Sequence, residues 1–391
     1  MAEHIHIPDE WKRVRPESLK GTIMVIGRSD SGKTTFARYL FQELCRHHKR
    51  VGFLDCDMGQ STLGPPTTMT LALSAPGDDE WSRLDGDQSA SDKWSRSDGS
   101  LSRFRAIFCN SSETICHQSD SSRRRRDLTN SLAIFCPDEW SRLGWNYLLM
   151  IQSPRYRRDH SSPQRAGCSW SERVRHHSSE GTFPPRGEVV SYFVGSTSPR
   201  GHMLPTIIGA YKLQRKAQEL GAEAIVVDTT GLVDRAAGGG ELKQWKIELL
   251  KPSVLIGIER GAELEHILWP WRWDRRVRVF ELPVCEYVTE KARVDRIAYR
   301  ESRFRSYFER AHTLIVPIGR IVVFGIDKMT RNRLLAFQDQ EGFALALGVA
   351  MAYDRSTWNL EVVTPLPSLE GVSSIRFGSL KLDPATGQEI R

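Results

Sequence analysis

Short apolar runs alternate with helical patterns near the start of the chain. Residues 22–26 (Thr-Ile-Met-Val-Ile) are apolar and β-branched, which predicts a buried strand. The next segment spaces Phe36, Leu40 and Leu44 along one face of a helix. A second apolar run at 51–55 predicts another buried strand.

The same alternation returns after residue 188. Residues 189–194, 224–227 and 254–258 are strand candidates, and 204–220 and 241–250 have helical patterns. Strands that are apolar throughout and alternate with helices are typical of a parallel sheet with both faces covered. We therefore predict an α/β fold whose parallel sheet is covered by helices.

The last part of the chain has a different pattern. An arginine-rich helix is predicted over 292–311, followed by short strands at 320–326, 360–363 and 374–382. This pattern indicates a small β-rich module after the α/β core. The predicted organisation is a lead-in at 1–20, a core domain at 21–312 and a β-rich module at 313–391.

The core is interrupted at about residues 76–187. This stretch is rich in Ser, Arg, Asp and Trp, and Asp-Glu-Trp-Ser-Arg-Leu occurs twice in it, at 79–84 and 138–143. Such a composition cannot bury enough apolar surface to offset the entropy of ordering. We expect a disordered insertion, and the alternative is an RNA-binding arm that uses the arginine run at 123–126.

Composition narrows the class of protein only loosely. The net charge of +7 favours an anionic partner such as nucleic acid or nucleotide. Seven cysteines without a CxxC pair, and no signal peptide pattern, predict a reduced, cytoplasmic protein. The longest apolar run, 343–353, is too short to span a bilayer, so no membrane partner is expected.

Residues 27–34 read Gly-Arg-Ser-Asp-Ser-Gly-Lys-Thr, a complete G-x-x-x-x-G-K-[ST] phosphate-binding loop between a strand and a helix. The glycines let backbone N–H groups point at phosphate oxygens, and the helix N-terminus adds partial positive charge. Lys33 is expected to reach the β- and γ-phosphates, and Thr34 to offer its hydroxyl to Mg²⁺. The predicted site for a nucleoside triphosphate, ATP or GTP, consists of Gly27, Arg28, Ser29, Asp30, Ser31, Gly32, Lys33, Thr34 and Thr35.

Carboxylates follow two of the predicted strands. Asp55 is the last residue of the strand at 51–55, and Asp57 lies two residues after it. Asp228 directly follows the apolar strand at 224–227. A carboxylate at such a position can accept the proton of an attacking hydroxyl or hold Mg²⁺. Asp55 and Asp228 are competing candidates for the metal, and the sequence does not decide between them.

Two further segments carry candidate chemistry. The glycine- and hydroxyl-rich loop at 195–201 predicts a site for an acceptor phosphate, and the alternative is a turn that caps the next helix. The predicted helix at 292–311 is either a clamp on a transferring phosphoryl group or a salt-bridged surface helix. Its arginines at helical spacing are Arg293, Arg296, Arg300, Arg303 and Arg305.

Five motifs follow one another in a specific order, at 27–35, 54–66, 192–199, 228–231 and 299–308. In this order they resemble the polynucleotide 5′-hydroxyl-kinase family. Its members include the kinase subunit of eukaryotic pre-mRNA cleavage complexes, the ribosomal-RNA-processing kinase and shorter archaeal and bacterial homologues. The chain is most similar to the short prokaryotic type, and the resemblance leaves out about residues 76–187.

The resemblance implies a role for each motif. Lys33 and Thr34 would bind the triphosphate and Mg²⁺, and Asp57 would be the general base on the polynucleotide 5′-hydroxyl. Arg300 and Arg303 would be lid arginines that close over the transferring phosphate. The polynucleotide side would be formed by Gln60, Thr197, Ser198, Thr229, Thr230 and Gly231.

The expected function is transfer of the γ-phosphate of ATP or GTP to the 5′-hydroxyl of RNA or DNA, in RNA processing or repair. Two other classes of function stay open. One is an NTP-binding assembly factor without turnover, and the other is an NTPase that transfers phosphate to water.

Overall fold

The structure is a computed structural model that describes residues 8–75 and 187–390. The α-helices in these ranges are α1 (Lys33–Cys45), α2 (Met203–Glu219), α3 (Gly239–Leu250), α4 (Glu265–Leu268) and α5 (Arg293–Phe308). The strands are β1 (Gly21–Gly27), β2 (Val51–Asp55), β3 (Thr68–Leu73), β4 (Val189–Phe193), β5 (Ala224–Asp228), β6 (Val254–Glu259), β7 (Arg278–Pro283), β8 (His312–Pro317), β9 (Val322–Phe324), β10 (Arg333–Gln338), β11 (Ala344–Asp354), β12 (Asn359–Thr364), β13 (Ser374–Leu382) and β14 (Glu389–Ile390).

Five parallel strands form one end of the sheet, in the order β2-β5-β1-β6-β7. Strand β1 lies between β5 and β6, with Met24 opposite Val227 on one side and Leu255 on the other. All residues of β2 and β5 are buried, which explains why these strands are apolar runs without alternation. The predicted α/β fold with a helix-covered parallel sheet is confirmed.

Helices cover both faces of this parallel sheet. On one face α1 packs Phe36 and Leu40 against the sheet, and Trp11 joins them with its ring 5.1 Å from that of Phe36. On the other face α2 and α3 supply Leu213 and Ile247 to a second buried cluster. The two layers leave the carboxyl ends of the parallel strands open at one edge, where ligands bind in folds of this kind.

The sheet continues beyond β2 with antiparallel strands. Strand β3 pairs with β2, and β4 pairs with β3. Strand β4 meets β11 at a single pair, Ser191 and Ala344. Through this pair the parallel strands and the strands after residue 312 form one hydrogen-bonded sheet.

The strands after residue 312 have their own buried cluster, which includes Val316, Phe337, Val362 and Ile375. Helix α5 packs Phe304 and other residues on the opposite side of β10 and β11. The structure thus contains β-rich architecture where the sequence predicted it. The domain boundaries at 20 and 312 stay predictions.

The predicted insertion at 76–187 lies outside the described residues, except for Gly187. Among the helices of the described part of the chain, none has the length and apolar character needed to cross a bilayer. The same part of the chain holds no cluster of three or more His, Cys, Asp or Glu residues suited to a metal ion.

Candidate active site

The phosphate-binding loop joins β1 to α1 with a tightly wrapped backbone. A Cβ atom at Gly27 would lie 2.5 Å from both the Ile258 carbonyl oxygen and Ser31 Oγ, so only glycine fits there. Gly32 has φ +82°, in the left-handed region that favours glycine. No side chain caps α1 at Gly32, so the N–H groups of its first turn remain available to an anion.

Lys33 begins α1 and is only 6% exposed. Its Nζ donates a hydrogen bond to the Arg28 carbonyl oxygen inside the loop. Burial lowers the pKa of Lys33, while the charge of Asp228 opposes this shift. Burial disfavours the charged form of Lys33, and the negative charge of a phosphate group bound at the loop would stabilise it.

Thr34 and Asp228 form the next part of the site. Thr34 Oγ1 donates to Asp228 Oδ2 over 2.6 Å, and Asp228 Oδ1 is buried without a hydrogen-bond partner among the described residues. Burial raises the pKa of Asp228 to about 7, and the nearby charge of Asp55 adds to this shift. An unpaired buried carboxylate oxygen beside a hydroxyl suits a hard divalent cation such as Mg²⁺.

Asp55 is also buried, but its oxygens already have partners. Oδ1 accepts the N–H of Asp57 at 3.0 Å. Oδ2 accepts the hydroxyls of Ser61 and Thr62 and the N–H groups of Thr62 and Leu63, over 2.7–3.2 Å. Asp55 therefore holds the turn that follows β2, and these hydrogen bonds favour Asp228 over Asp55 as the metal ligand.

Asp57 lies at the start of that turn. Its Oδ1 accepts the N–H groups of Gly59 and Gln60, each over 3.1 Å. A Cβ atom at Gly59 would lie 2.6 Å from the Thr197 carbonyl oxygen, so this turn approaches the loop after β4 closely. The two segments predicted to face the polynucleotide are therefore in contact.

The turn after β5 contacts the phosphate-binding loop directly. A Cβ atom at Gly231 would lie 2.3 Å from Ser29 Oγ. The backbone carbonyl of Thr230 accepts a hydrogen bond from Lys243 Nζ over 2.6 Å. Thr229 is fully buried and its hydroxyl donates to the Val25 carbonyl oxygen over 2.8 Å, so Thr229 supports the turn from inside.

These segments surround one open cleft of about 630 Å³. The phosphate-binding loop forms one side, and the turns after β2, β4 and β5 form another. Residues that line the cleft are Arg28, Ser29, Asp30, Asp57, Gly59, Gln60, Thr197, Ser198, Pro199, Arg200, Thr230, Gly231, Leu232, Val233, Asp234, Arg260, Glu263, Glu290, Arg296 and Arg300. Residues predicted for the nucleotide side (Arg28, Ser29 and Asp30) and for the polynucleotide side (Gln60, Thr197, Ser198, Thr230 and Gly231) thus line the same space.

The arginines of α5 are placed differently from one another. Arg296 and Arg300 line the cleft, and Arg296 also lies 3.4 Å from Asp30 Oδ2. Arg303, predicted as a lid arginine, is absent from the lining, and its Nη2 donates to the Gly64 carbonyl oxygen over 2.9 Å. The structure therefore places Arg303 on the side of α5 that lies against the turn after β2, rather than in the cleft.

Two lysines of α3 were not singled out from the sequence. Lys243 and Lys246 are both fully buried, and Lys243 donates to Thr230. Burial lowers the pKa of Lys243 well below its usual value, and the charge of Lys246 adds to the shift. The helical pattern over 241–250 predicts that both lysines lie on a helix, but it does not indicate that they are buried.

Comparison with known proteins agrees with this arrangement. The family profile described as "mRNA cleavage and polyadenylation factor CLP1 P-loop" matches residues 27–127 and 170–310. A polyribonucleotide 5′-hydroxyl-kinase of Methanocaldococcus jannaschii is 26% identical over 259 residues, which cover 51% of this chain and 70% of that protein. A protein of the same name from Pyrococcus horikoshii is 22% identical over 418 residues, covering 92% of this chain and 86% of that protein.

A solved structure of the wild-type Clp1p–Pcf11p complex contains a chain with the same fold. The match has a TM-score of 0.52 at 11% identity and covers 95% of this chain and 77% of that one. The family profile extends over more than half of the chain and includes the phosphate-binding loop and the turns after β2, β4 and β5. This chain therefore belongs to the family described as the CLP1 P-loop of mRNA cleavage and polyadenylation factors.

Proposed function

We propose that this protein is a polynucleotide 5′-hydroxyl kinase that transfers the γ-phosphate of ATP or GTP to the 5′-hydroxyl of RNA or DNA. The observation that carries the proposal is the shared cleft. Residues of the phosphate-binding loop, Asp57 and the two acceptor-side turns all line it, so donor and acceptor can be held next to each other in one space.

The donor nucleotide would lie on the phosphate-binding loop. The open N–H groups of α1 and the ammonium of Lys33 would hold the β- and γ-phosphates. Thr34 and Asp228 would hold Mg²⁺, as the unpaired Oδ1 of Asp228 suggests. When bound, the cation would neutralise charge on the phosphate oxygens.

Asp57 would act on the acceptor. Its Oδ1 is held by two backbone N–H groups, which fixes the orientation of the carboxylate toward the cleft. The 5′-hydroxyl would lose its proton to Asp57 as its oxygen bonds to the γ-phosphorus, and the bond to the departing nucleoside diphosphate would break. Arg296 and Arg300 would stabilise the charge on the transferring group.

The polynucleotide would lie between the loops at 195–201 and 230–234. Arg200 lines this side and would bind a backbone phosphate near the 5′ end. The net charge of +7 favours such a partner. Cytoplasmic localisation, predicted from the cysteine pattern, is retained as part of the proposal.

Transfer of label from γ-labelled ATP or GTP to an oligonucleotide tests the proposal. A 5′-hydroxyl oligonucleotide should become labelled in the presence of Mg²⁺, and its 5′-phosphorylated counterpart should not. Free labelled phosphate without labelled oligonucleotide would identify an NTPase. Nucleotide binding without any turnover would identify an assembly factor. Each of these two results would contradict the proposed kinase function.

A further inference from the structure

One arginine of the cleft is held by a residue far away in sequence. Arg300 Nε donates to Glu389 Oε1 over 2.7 Å, and the two side chains are 17% and 28% exposed. Arg300 lines the cleft, whereas Glu389 lies in β14 and is absent from its lining. The ion pair therefore connects the lid helix to a strand outside the active site.

The segment that carries Glu389 is itself well anchored. In β14, Glu389 pairs with Leu382 of β13. The turn between these strands is closed by hydrogen bonds from Gly387 N to Asp383 O at 2.8 Å and from Asp383 N to Gln388 O at 3.0 Å. The carboxylate of Glu389 is thus presented from a fixed backbone.

The same turn packs directly on the lid helix. Gly387 has φ +77°, and a Cβ atom there would lie 2.2 Å from the Glu301 carbonyl oxygen and 2.8 Å from Arg305 N. Only a glycine allows this approach of the turn to the α5 backbone. Backbone contact and ion pair together fix the position of α5 around Arg300.

We propose that Glu389 is a positioning residue for phosphoryl transfer, acting through Arg300; this inference rests on the proposed kinase function. A guanidinium has five N–H donors, and Glu389 accepts the one on Nε. Both Nη groups then remain to bind the transferring phosphoryl group. A long side chain held at Nε loses less rotamer freedom when it binds its ligand, which favours the transition state.

The test compares Glu389→Ala with wild type in steady-state kinetics. We expect kcat for oligonucleotide phosphorylation to fall about tenfold, since a charge-assisted hydrogen bond that orients Arg300 is lost. The KM for the nucleotide should stay within about twofold, because the phosphate-binding loop is not touched. Glu389→Gln keeps an acceptor oxygen and should restore part of kcat.

A matched control is available in the same protein. Arg272 Nε donates to Glu281 Oε1, also over 2.7 Å, and neither residue lines the cleft. Glu281→Ala should leave kcat and KM unchanged. Glu281 accepts a second hydrogen bond from Arg272 Nη2, so its removal costs at least as many ion-pair contacts as removal of Glu389. A fall in kcat for Glu389→Ala alone would then separate loss of positioning from loss of an ion pair.

A double variant checks that Glu389 acts through Arg300. Under single-turnover conditions, Glu389→Ala should add less than about twofold to the defect of Arg300→Ala. An unchanged or increased kcat for Glu389→Ala, or parallel losses in kcat, nucleotide affinity and melting temperature, would overturn the positioning role. Absence of transfer by the wild-type protein would instead refute the kinase function itself.

Discussion

The hydroxyl of Thr34 donates to Oδ2 of Asp228 over 2.6 Å and joins the first turn of α1 to the end of β5. These residues are separated by 194 positions in the chain, so the contact depends on β5 lying directly beside β1. The remaining oxygen of Asp228 is buried and unpaired among the described residues. The fold thus holds one unpaired carboxylate oxygen beside one hydroxyl, the two groups proposed above to bind Mg²⁺.

Asp228→Asn should stabilise the protein at pH 8 when nucleotide and Mg²⁺ are absent. The pKa of Asp228 is raised from 3.8 to about 7, so between these values the folded state holds a proton that the unfolded state has released. The contribution of Asp228 to the free energy of unfolding therefore falls as pH rises from about 4 to 7, and it is lowest above pH 7. Asparagine avoids the cost of a buried charge, on the order of 4 kcal/mol for this pKa shift.

Thermal unfolding across pH 4 to 8 in EDTA measures this effect. The difference between Asp228→Asn and wild type should be largest at pH 8 and shrink toward pH 4. The same variant should lose Mg²⁺-dependent transfer. A difference in melting temperature that does not change with pH would contradict the role of buried charge at Asp228.

Lys33→Ala should abolish phosphoryl transfer, because it removes the cation closest to the phosphates of the nucleotide. Lys33 is buried and its Nζ also binds the Arg28 carbonyl inside the loop, so a small loss of stability is expected as well. Labelled transfer and circular dichroism measure the two effects separately. Transfer near the wild-type rate would show that this loop is not the active site.

Asp57→Asn should impair phosphoryl transfer, whereas Asp55→Asn should mainly lower the stability of the fold. Asparagine at 57 retains an oxygen for the N–H groups of Gly59 and Gln60 but cannot take a proton. Nucleotide binding should survive, and transfer should drop by about 10²–10⁴-fold. The change at 55 replaces one acceptor oxygen with an amide donor, in a carboxylate that accepts five hydrogen bonds.

The cost of Asp55→Asn should therefore appear in the free energy of unfolding, with a loss of about 2–4 kcal/mol. Chemical denaturation and kinetics of both variants provide the comparison. If Asp55→Asn folds normally but loses transfer while Asp57→Asn is fully active, the roles of the two aspartates are reversed.

Arg300→Ala and Arg303→Ala should separate catalysis from support. Arg300 lines the cleft, so its loss should lower kcat by about 10²-fold or more with a modest change in melting temperature. Arg303 holds the Gly64 carbonyl, so its loss should lower the melting temperature and affect kcat less. If both variants lowered kcat equally without a loss of stability, Arg303 would act in the cleft and not as a support for the turn at Gly64.

Four of the five parallel strands, β1, β2, β5 and β6, were predictable from the sequence because both of their faces are covered. The fifth, β7, is only partly buried and was not predicted. Full burial requires apolar side chains on both faces, so β2 and β5 are recognisable as uninterrupted runs. Strand β3 is equally buried, yet its first residues are Thr-Met-Thr, and it was not predicted. Its buried threonines both have hydrogen-bond partners: Thr68 Oγ1 donates to the Pro65 carbonyl over 2.7 Å, and Thr70 Oγ1 lies 3.2 Å from Ser191 Oγ on β4.

The site was predictable at the level of motifs and less so at the level of single atoms. The phosphate-binding loop and the strand-end aspartates mark the cleft, but Asp55 and Asp228 differ only in their hydrogen bonds. Helical spacing placed Arg303 on the same face as Arg300. One turn along α5, however, that face already lies against the turn at Gly64 rather than against the cleft.

The ends of the predicted insertion support a last prediction. Leu73 and Gly187 lie at neighbouring positions of the β3–β4 pair, where Gly187 N donates to the Leu73 carbonyl over 3.1 Å and Leu73 N donates to Glu188 O over 3.0 Å. Two antiparallel strands that close at this point need only a short turn to connect them. Replacing residues 78–185 with a short Gly/Ser linker should therefore preserve the fold.

The shortened protein should also keep 5′-kinase activity, because the phosphate-binding loop, Asp57 and the acceptor-side turns all lie outside the replaced segment. Loop-closure entropy rises slowly with length, so removing the segment should change the free energy of unfolding by only about 1–2 kcal/mol. Melting temperature, labelled transfer and oligonucleotide affinity test this expectation. A protein that still binds nucleotide but no longer binds oligonucleotide would identify the arginine run at 123–126 as part of a polynucleotide-binding arm.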